Sequence, residues 1–303
     1  MQIGMVGLGR MGLNMTRRLL RGGHEVVAYD VDPDAVAIAA KEGARGAVSL
    51  QDVIERLDAP RTVWVMVPAG PITEKTIAQL SATMASGDIV IEGGNSRYTD
   101  SSARSNVLAE RGISFVDAGT SGGVWGLENG YSLMIGAEPD VFERIEPVFS
   151  TLAPESGYAR VGPPGAGHFV KMVHNGVEYA LMQAYAEGFD LLRASDFKLD
   201  VAQIAELWRH GSVVRSWLLD LAASALAKDA DLEQLTGWVE DSGEGRWTLE
   251  EGIRNSVPLP ALAAALFARF SSRQPEAFSN KMLAALRQEF GGHPVHAVDD
   301  DAA

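Results

Sequence analysis

One segment near the N-terminus restricts the possible folds more than any other. The stretch "QIGMVGLGRMGLNMTRRLLRGG" (2–23) joins a short apolar strand to a helical pattern through a glycine-rich turn. Gly7, Gly9 and Gly12 in it fit the spacing G-x-G-x-x-G. The first glycine of this spacing permits a tight turn, the second lets a pyrophosphate approach the backbone, and the third lets helix and strand pack closely. The segment therefore predicts a dinucleotide site with its phosphates at a helix N-terminus.

The next strand-like run, "EVVAYD", supplies the acidic residue that such a site requires. It ends in Asp30, close to the expected spacing of about 20 residues. A carboxylate accepts hydrogen bonds from a ribose 2′-hydroxyl and repels a 2′-phosphate. No arginine follows in "DVDPDAV" (30–36), where a site for NADP would need one. The alternative is that Asp30 and Asp32 only begin the next helix. We expect NAD rather than NADP as cofactor.

Further strand-like runs at 62–67, 88–93 and 113–119 alternate with helical patterns. This alternation predicts an α/β domain with a Rossmann-type doubly wound sheet. Ligands of such sheets bind at the carboxyl ends of the strands, which points to the loops 67–70, 93–96 and 120–123. Backbone N–H groups of Ser121, Gly122 and Gly123 could hold a carboxylate, although the same tripeptide also suits an ordinary turn.

Composition excludes several classes of partner and chemistry. A formal charge of −14 argues against nucleic acid or an anionic membrane as partner. No apolar run approaches the roughly 18 residues of a membrane span. The chain has no cysteine, so disulfides and thiolate chemistry are excluded, and we expect no metal. We expect a soluble, cytoplasmic globular protein.

The second half has a different pattern. After the Pro/Gly cluster at 162–165, helical periodicity predicts an all-α domain. We expect a dinucleotide-binding domain at 1–164 and a helical substrate-binding and oligomerisation domain at 165–303. The predicted helices are 166–194, 200–210, 212–228, 231–239, 247–255, 258–271 and 275–290. The acidic end "HAVDDDAA" (296–303) predicts a mobile tail.

The first helix of this half carries a polar stripe on an otherwise apolar surface. Lys171, His174, Asn175, Glu178 and Tyr179 share one face because they lie at i, i+3, i+4, i+7 and i+8. Burying five such groups is costly unless they meet a polar ligand. A lysine removed from water can act as a neutral base, and a carboxyl in apolar surroundings can donate a proton. We expect this helix to lie beside the cleft between the domains.

Three longer motifs resemble one family. They are "GGNSRYTDS" (93–101), "GHFVKMVHNGVEY" (167–179) and "WT…FAR" (247–269), and "DAGTSGG" (117–123) accompanies them. Together they resemble the decarboxylating 6-phosphogluconate dehydrogenases, a branch of the β-hydroxyacid dehydrogenases. The resemblance covers nearly the whole chain, whose length resembles the short form of the family.

The resemblance implies NAD-dependent conversion of 6-phospho-D-gluconate to D-ribulose 5-phosphate and CO2 in the pentose phosphate pathway and gluconate utilisation. It implies Lys171 as the general base and Glu178 as the acid that protonates C1 of the product. The implied substrate-binding residues are Asn95, Ser121, Gly122, Gly123, His174, Asn175, Tyr179, Ser242, Arg246 and Arg269. The implied cofactor-binding residues are Gly7, Leu8, Gly9, Arg10, Met11, Gly12, Asp30, Val67, Pro68, Ala69 and Asn95.

The sequence departs from the long form of the family at two points. The long form has K-G-T-G-K-W where this chain has "SGEGRW" (242–247), so Ser242 replaces a phosphate-binding lysine and Arg246 keeps a cation. The long form also completes its site with residues of a second subunit, for which Arg287 or His293 is the nearest candidate here. We therefore expect a homodimer or a homotetramer.

Two other functions compete with this interpretation. Relatives acting on 3-hydroxyisobutyrate or tartronate semialdehyde share the general plan, but their motifs differ at Asn95-Ser96 and at His174. A catalytically inactive nucleotide-binding regulator would be expected to lack Lys171 or Glu178, and both are present.

Overall fold

A computed structural model describes residues 1–296 of the chain. It divides into two compact units, Met1–His174 and a second one that begins at Asn175, so the boundary lies inside a helix. The domain boundary expected at 164/165 remains a prediction. The predicted tail beyond His296 lies outside the described residues.

The first unit is built on one eight-stranded sheet. Its order is β3-β2-β1-β4-β5-β6-β7-β8, and every pair is parallel except β6 with β7. The strands are β1 (Gln2–Val6), β2 (Glu25–Tyr29), β3 (Arg45–Gly46), β4 (Thr62–Val65), β5 (Ile89–Glu92), β6 (Ser114–Ser121), β7 (Ser132–Gly136) and β8 (Tyr158–Gly162). The Rossmann-type prediction is confirmed. The sequence analysis did not indicate three of the strands. They are β3, which is two residues long, β7, which pairs antiparallel with β6, and β8, whose residues are mostly exposed.

Helices cover both faces of this sheet. They are α1 (Arg10–Arg21), α2 (Pro33–Lys41), α3 (Leu50–Glu55), α4 (Pro71–Thr83), α5 (Tyr98–Ala109), α6 (Gly126–Asn129) and α7 (Pro139–Leu152). Alternate residues of one strand enter different cores: Ile89 and Ile91 of β5 lie in one apolar cluster, and Val90 lies in the other. Burial on both faces explains why these strands are continuously apolar.

The second unit is helical. The long helix α8 (Ala166–Arg193) begins in the first unit and continues into the second. It is followed by α9 (Val201–Trp208), α10 (Trp217–Lys228), α11 (Glu244–Arg254), α12 (Pro260–Ser271) and α13 (Phe278–Gly291). The prediction of a helical second half is thus confirmed. Among residues 1–296, no helix has both the length and the apolar character needed to cross a membrane.

One predicted helix is wrong. Residues 231–239 form turns and bends, and Leu232 has a left-handed φ of 52°. Leu235 and Trp238 are more than half exposed, so the segment buries little apolar surface. A helix of nine residues is marginal without tertiary packing, and this segment lacks the burial that would support one. The preceding helix α10 begins at Trp217 rather than 212, because Ser216 caps it by accepting from the Leu219 N–H.

Candidate active site

The glycine-rich turn between β1 and α1 has no room for side chains at two of its positions. Gly7 has a φ of +96°, and a Cβ there would lie 2.3 Å from the Met66 carbonyl oxygen. A Cβ on Gly12 would lie 1.9 Å from the Gly7 carbonyl oxygen. Both glycines are therefore required by the close approach of turn, helix and neighbouring strand, as the sequence indicated.

Gly9 is different, because a Cβ there would meet no described atom within 4 Å. It stands at the N-cap of α1, where it offers no side chain to cap the helix, and the first turn of α1 contains no acidic residue. The N–H groups at a helix start, together with the helix dipole, attract anions. The cradle fits a dinucleotide pyrophosphate. Leu8 and Gly12 are buried, Met11 is half-buried, and Arg10 is exposed beside the turn.

Asp30 is held beside this cradle by two backbone groups. The N–H of Leu8 donates to its Oδ2 at 2.6 Å, and the N–H of Asp32 donates to its Oδ1 at 2.9 Å. The carboxylate therefore joins the end of β2 to the glycine-rich turn. Each carboxylate oxygen keeps a further lone pair, so Asp30 can still accept from ribose hydroxyls.

The other predicted cofactor residues follow neighbouring strands of the sheet. Val67, Pro68 and Ala69 follow β4, and Asn95 follows β5; Val67 is half-buried and the other three are exposed. Because β1, β4 and β5 are adjacent and parallel, these loops lie at the carboxyl ends of the strands, on the same side of the sheet as the glycine-rich turn.

A buried ion-pair network supports the loop of Asn95, and sequence patterns did not reveal it. Glu92, the fully buried last residue of β5, accepts from the Ser96 hydroxyl and from Arg104 Nη1 at 2.7 Å. Arg104 also donates to Glu74. Burial raises the pKa of Glu92, and the charge of Arg104 opposes that shift.

The end of β6 leads into the predicted carboxylate-binding turn. Ser121 and Gly122 are half-buried, and Gly123 is exposed. Gly122 has a φ of +134°, and a Cβ on it would lie 3.3 Å from the ring of Tyr131. The ring of the fully buried Tyr131 thus packs against the turn at Gly122.

The start of α8 is fixed to the sheet by Asp117 of β6. Its carboxylate accepts from the N–H of Gly165 at 2.6 Å and from the N–H of His168 at 2.7 Å. Burial raises the pKa of Asp117 to about 6, against the effect of these hydrogen bonds. His168 is itself buried, and its Nδ1 lies 2.7 Å from Ser101 Oγ. Burial lowers the pKa of His168 to about 3, so the imidazole is neutral.

Lys171, one turn further along α8, is enclosed rather than directed into solvent. Only 7% of the residue is exposed, and its Nζ lies 3.5 Å from Nδ1 of His174. A Cβ on Gly119 would lie 2.5 Å from the Cβ of Lys171, so the glycine lets α8 approach β6. The side chain of Lys171 is therefore largely removed from water.

The polar stripe of α8 continues in the second unit. Asn175 and Tyr179 are buried and Glu178 is half-buried, whereas Val177 and Leu181 are nearly half exposed. The helix therefore buries polar groups and exposes apolar ones, the reverse of an ordinary surface helix. Gly176 faces other helices, because a Cβ on it would lie 2.7 Å from Thr248 Cγ2 of α11.

Two residues expected to bind the substrate, Arg269 and Ser242, lie against a third one, Tyr179. The guanidinium of Arg269 stacks over its ring at 3.6 Å from the ring centre, and Ser242 Oγ lies 3.0 Å from its hydroxyl. Arg269 also donates to the Glu240 carbonyl at 2.7 Å. Arg246 makes different contacts: it is paired with Asp241 and lies over Phe270.

The residues expected to reach a second subunit lie at the end of the described chain. Helix α13 is exposed along its whole length, with Phe278 and Phe290 on its surface. Arg287 and His293 are exposed as well, and their role remains a prediction. Residues 1–296 contain no cluster of three His, Asp or Glu side chains that could hold a metal ion.

Comparison with known proteins decides the family. Residues 2–162 match the NAD-binding domain of 6-phosphogluconate dehydrogenase, and residues 167–289 match the C-terminal domain of that enzyme. The chain belongs to the 6-phosphogluconate dehydrogenase family. Its first unit is accordingly a nicotinamide dinucleotide-binding domain.

Individual members of the 6-phosphogluconate dehydrogenase family support this assignment. The chain is 42% identical over 302 residues to the NAD(+)-dependent, decarboxylating 6-phosphogluconate dehydrogenase of Haloferax volcanii, covering 99% of this chain and 100% of that one. Plasmodium falciparum 6-phosphogluconate dehydrogenase, solved with NADP+ and with 6-phosphogluconate, superposes with a TM-score of 0.83 at 26% identity, over 99% of this chain and 67% of that one. The 3-hydroxyisobutyrate dehydrogenase of Salmonella typhimurium shares the fold, with a TM-score of 0.76 at 23% identity over 91% and 95% of the two chains.

Proposed function

We propose that this protein oxidises 6-phospho-D-gluconate at C3 with NAD and releases CO2 to give D-ribulose 5-phosphate. The observation that carries the proposal is the enclosed amine of Lys171, on a helix whose start is fixed to the sheet that bears the dinucleotide cradle. The family and the group of Tyr179, Ser242 and Arg269 support a phosphorylated sugar acid as substrate.

Lys171 and Glu178 would divide the proton transfers between them. NAD held at the turn from Gly7 to Gly12 and at Asp30 would supply the hydride acceptor for C3 of the substrate. Lys171 takes the proton of the C3 hydroxyl, which leaves a β-keto acid. The C1–C2 bond then breaks, CO2 leaves, and its electron pair passes toward the C3 carbonyl to form an enediol that Lys171 assists by returning a proton. Glu178 protonates the carbon that becomes C1 of the product. The keto group itself accepts the electrons, so the residues need supply only proton transfers.

The remaining polar residues would hold the substrate in this orientation. Asn95 follows β5, Ser121 ends β6, and Gly122 and Gly123 follow β6, where these residues would bind the carboxylate and hydroxyls. His174 and Asn175 would add hydrogen bonds from α8. We also propose a cytoplasmic homo-oligomer acting in the pentose phosphate pathway and gluconate utilisation, with no nucleic acid or membrane partner.

The deciding experiment measures NADH or NADPH absorbance with 6-phosphogluconate and with 3-hydroxyisobutyrate, each tested with NAD and with NADP. We expect 6-phosphogluconate with NAD to give the highest kcat/KM, and pentulose phosphate and CO2 to form in equal amounts with NADH. Faster turnover of 3-hydroxyisobutyrate would overturn the proposed substrate. NADH formation without CO2 would overturn the decarboxylation.

Asp30→Ala should raise the ratio of kcat/KM for NADP to that for NAD by about tenfold or more, because a negative charge facing the 2′-phosphate is lost. The absolute kcat/KM with NAD should fall as well, since Asp30 also accepts from the N–H groups of Leu8 and Asp32. Steady-state kinetics with both cofactors would measure this. Asp34→Ala, an exposed change at the start of α2, is the matched control and should leave the ratio unchanged. An unchanged ratio in the Asp30 variant would refute our account of cofactor choice.

Arg269→Lys should raise KM for 6-phosphogluconate by about 10–100-fold, because lysine keeps the charge but loses the planar fork and the stacking on Tyr179. KM for unphosphorylated gluconate should change less than about twofold if Arg269 contacts only the phosphate. Arg193→Lys, at an exposed position on α8, serves as control. Equal effects on both substrates would show that Arg269 has no specific role at the phosphate.

A further inference from the structure

A buried carboxylate lies beside the residues proposed to bind phosphate. Glu244 begins α11 and is 4% exposed. The hydroxyl of Ser242 donates to its Oε2 at 2.5 Å. A carboxylate can only accept, and a serine hydroxyl has one proton to donate. The single hydroxyl proton of Ser242 is therefore directed to Glu244.

This arrangement also determines the direction of the next hydrogen bond. The hydroxyl of Tyr179 lies 3.0 Å from Ser242 Oγ. Since Ser242 has already donated its proton, Tyr179 must be the donor in this pair. The backbone N–H of Ser242 in turn donates to the Tyr179 oxygen at 3.3 Å. Two hydroxyl donors thus form a chain that runs from Tyr179 through Ser242 and ends at Glu244.

The phosphate of the proposed substrate would need the same hydroxyl donors as Glu244. Competition between this carboxylate and the phosphate therefore rests on the proposed function. A phosphate monoester carries about −1.5 to −2 charges at pH 7 and accepts hydrogen bonds. One of its oxygens bonded to Ser242 Oγ would lie within about 5 Å of Glu244, given an ordinary hydrogen-bond length. Repulsion between like charges at that distance, when they are partly buried, weakens the binding constant by about one to three orders of magnitude.

The neighbouring cations do not remove this conflict. Arg269 contributes one positive charge at Tyr179, which Glu244 offsets with one negative charge. Arg246 and Arg273 both pair with Asp241, whose side chain is 2% exposed, so that carboxylate balances one of their two charges. Arg273 lies over Trp238 and Phe270, so the remaining positive charge is centred there rather than on Ser242. Glu244 lies in the first turn of α11, where its negative charge interacts favourably with the helix dipole and stabilises the helix. That stabilisation does not depend on any ligand.

We infer that Glu244 is a specificity-determining residue, an internal anion that competes with the 6-phosphate for the hydroxyls of Tyr179 and Ser242. It weakens the binding of phosphorylated sugar acids relative to unphosphorylated ones. The substrate displaces the carboxylate from Ser242 when it binds.

The test compares binding of 6-phosphogluconate and gluconate to the full-length enzyme by isothermal titration calorimetry. Glu244→Gln keeps the side-chain length and an acceptor for Ser242 but removes the charge. We expect it to lower Kd for 6-phosphogluconate about tenfold, and to change Kd for gluconate less than about twofold. Glu244→Ala frees both hydroxyls and should bind 6-phosphogluconate at least as tightly as the glutamine variant. Glu250→Gln, an exposed change of the same charge on α11, is the control and should match the wild type.

Three results would overturn the inference: a Kd for 6-phosphogluconate that is unchanged or higher in Glu244→Gln, equal tightening for both ligands, or equal tightening in Glu250→Gln. A lowered thermal midpoint with unchanged Kd values would show that Glu244 only stabilises α11. The glutamine variant decides the question even if Glu244→Ala does not fold. NADH formation by the wild-type enzyme tests the proposed function separately, because the role of Glu244 is read from ratios of Kd values.

Discussion

Lys171→Met is expected to reduce kcat for NADH formation from 6-phosphogluconate by about 10²–10⁴-fold or to below detection, which is the range for losing a general base. Methionine fills most of the space of the lysine stem but cannot accept a proton. Lys171 is only 7% exposed, and its Cβ packs against Gly119, so the substitution changes the end of a buried side chain. NAD affinity should change less than about threefold, since the cradle at Gly7–Gly12 and Asp30 is untouched. Stopped-flow absorbance would measure the first step, and fluorescence titration would measure NAD affinity.

Lys41→Met provides the matched control for this variant. Lys41 is exposed at the end of α2, so the same chemical change is made on the same unit without touching α8. It should retain wild-type kcat and KM. Normal turnover by Lys171→Met would refute the role of Lys171 as base. Loss of NAD binding together with activity would instead indicate that the substitution disturbs the dinucleotide domain.

Features with local signals could be predicted from the sequence. The turn from Gly7 to Gly12 is recognisable because Gly7 and Gly12 make close backbone contacts, to Met66 and to Gly7 respectively, while Gly9 leaves the N-terminus of α1 open. The polar stripe of α8 follows from helical periodicity alone. Three of its five residues, Lys171, Asn175 and Tyr179, are buried as expected, and His174 and Glu178 are half-buried. Asp30 was predicted from its place at a strand end, but its bond to the Leu8 N–H was not.

Features that depend on distant contacts could not be predicted. Asp117 caps α8 from a strand about 50 residues earlier, and His168 bonds to Ser101 of another helix. No periodicity links such positions, because only the folded sheet brings them together. The helix predicted at 231–239 is wrong for a related reason. Its sequence pattern suits a helix, but so short a helix needs tertiary packing, and the apolar residues of this segment are largely exposed.

Glu178→Gln is expected to separate the two halves of the reaction. Glutamine keeps the size and shape of the half-buried side chain but cannot donate a proton as an acid. Hydride transfer depends on Lys171, so NADH should still form in the first turnover at close to the wild-type rate. Protonation of the enediol should slow by about 10²–10⁴-fold. Steady-state kcat should fall accordingly, while the first-turnover burst of NADH remains.

Single-turnover experiments distinguish this outcome from a general loss of activity. NADH absorbance follows oxidation, and quenched samples assayed for ribulose 5-phosphate follow protonation, so a lag between the two should appear only in Glu178→Gln. In D2O the solvent isotope effect on product formation should increase, because proton transfer to carbon has become rate-limiting. Glu187→Gln, at an exposed position on the same helix, should show neither change. If NADH formation in Glu178→Gln slows as much as product formation, Glu178 acts before decarboxylation. The assignment of oxidation to Lys171 and of enediol protonation to Glu178 would then be wrong, because Glu178 would take part in the oxidation step.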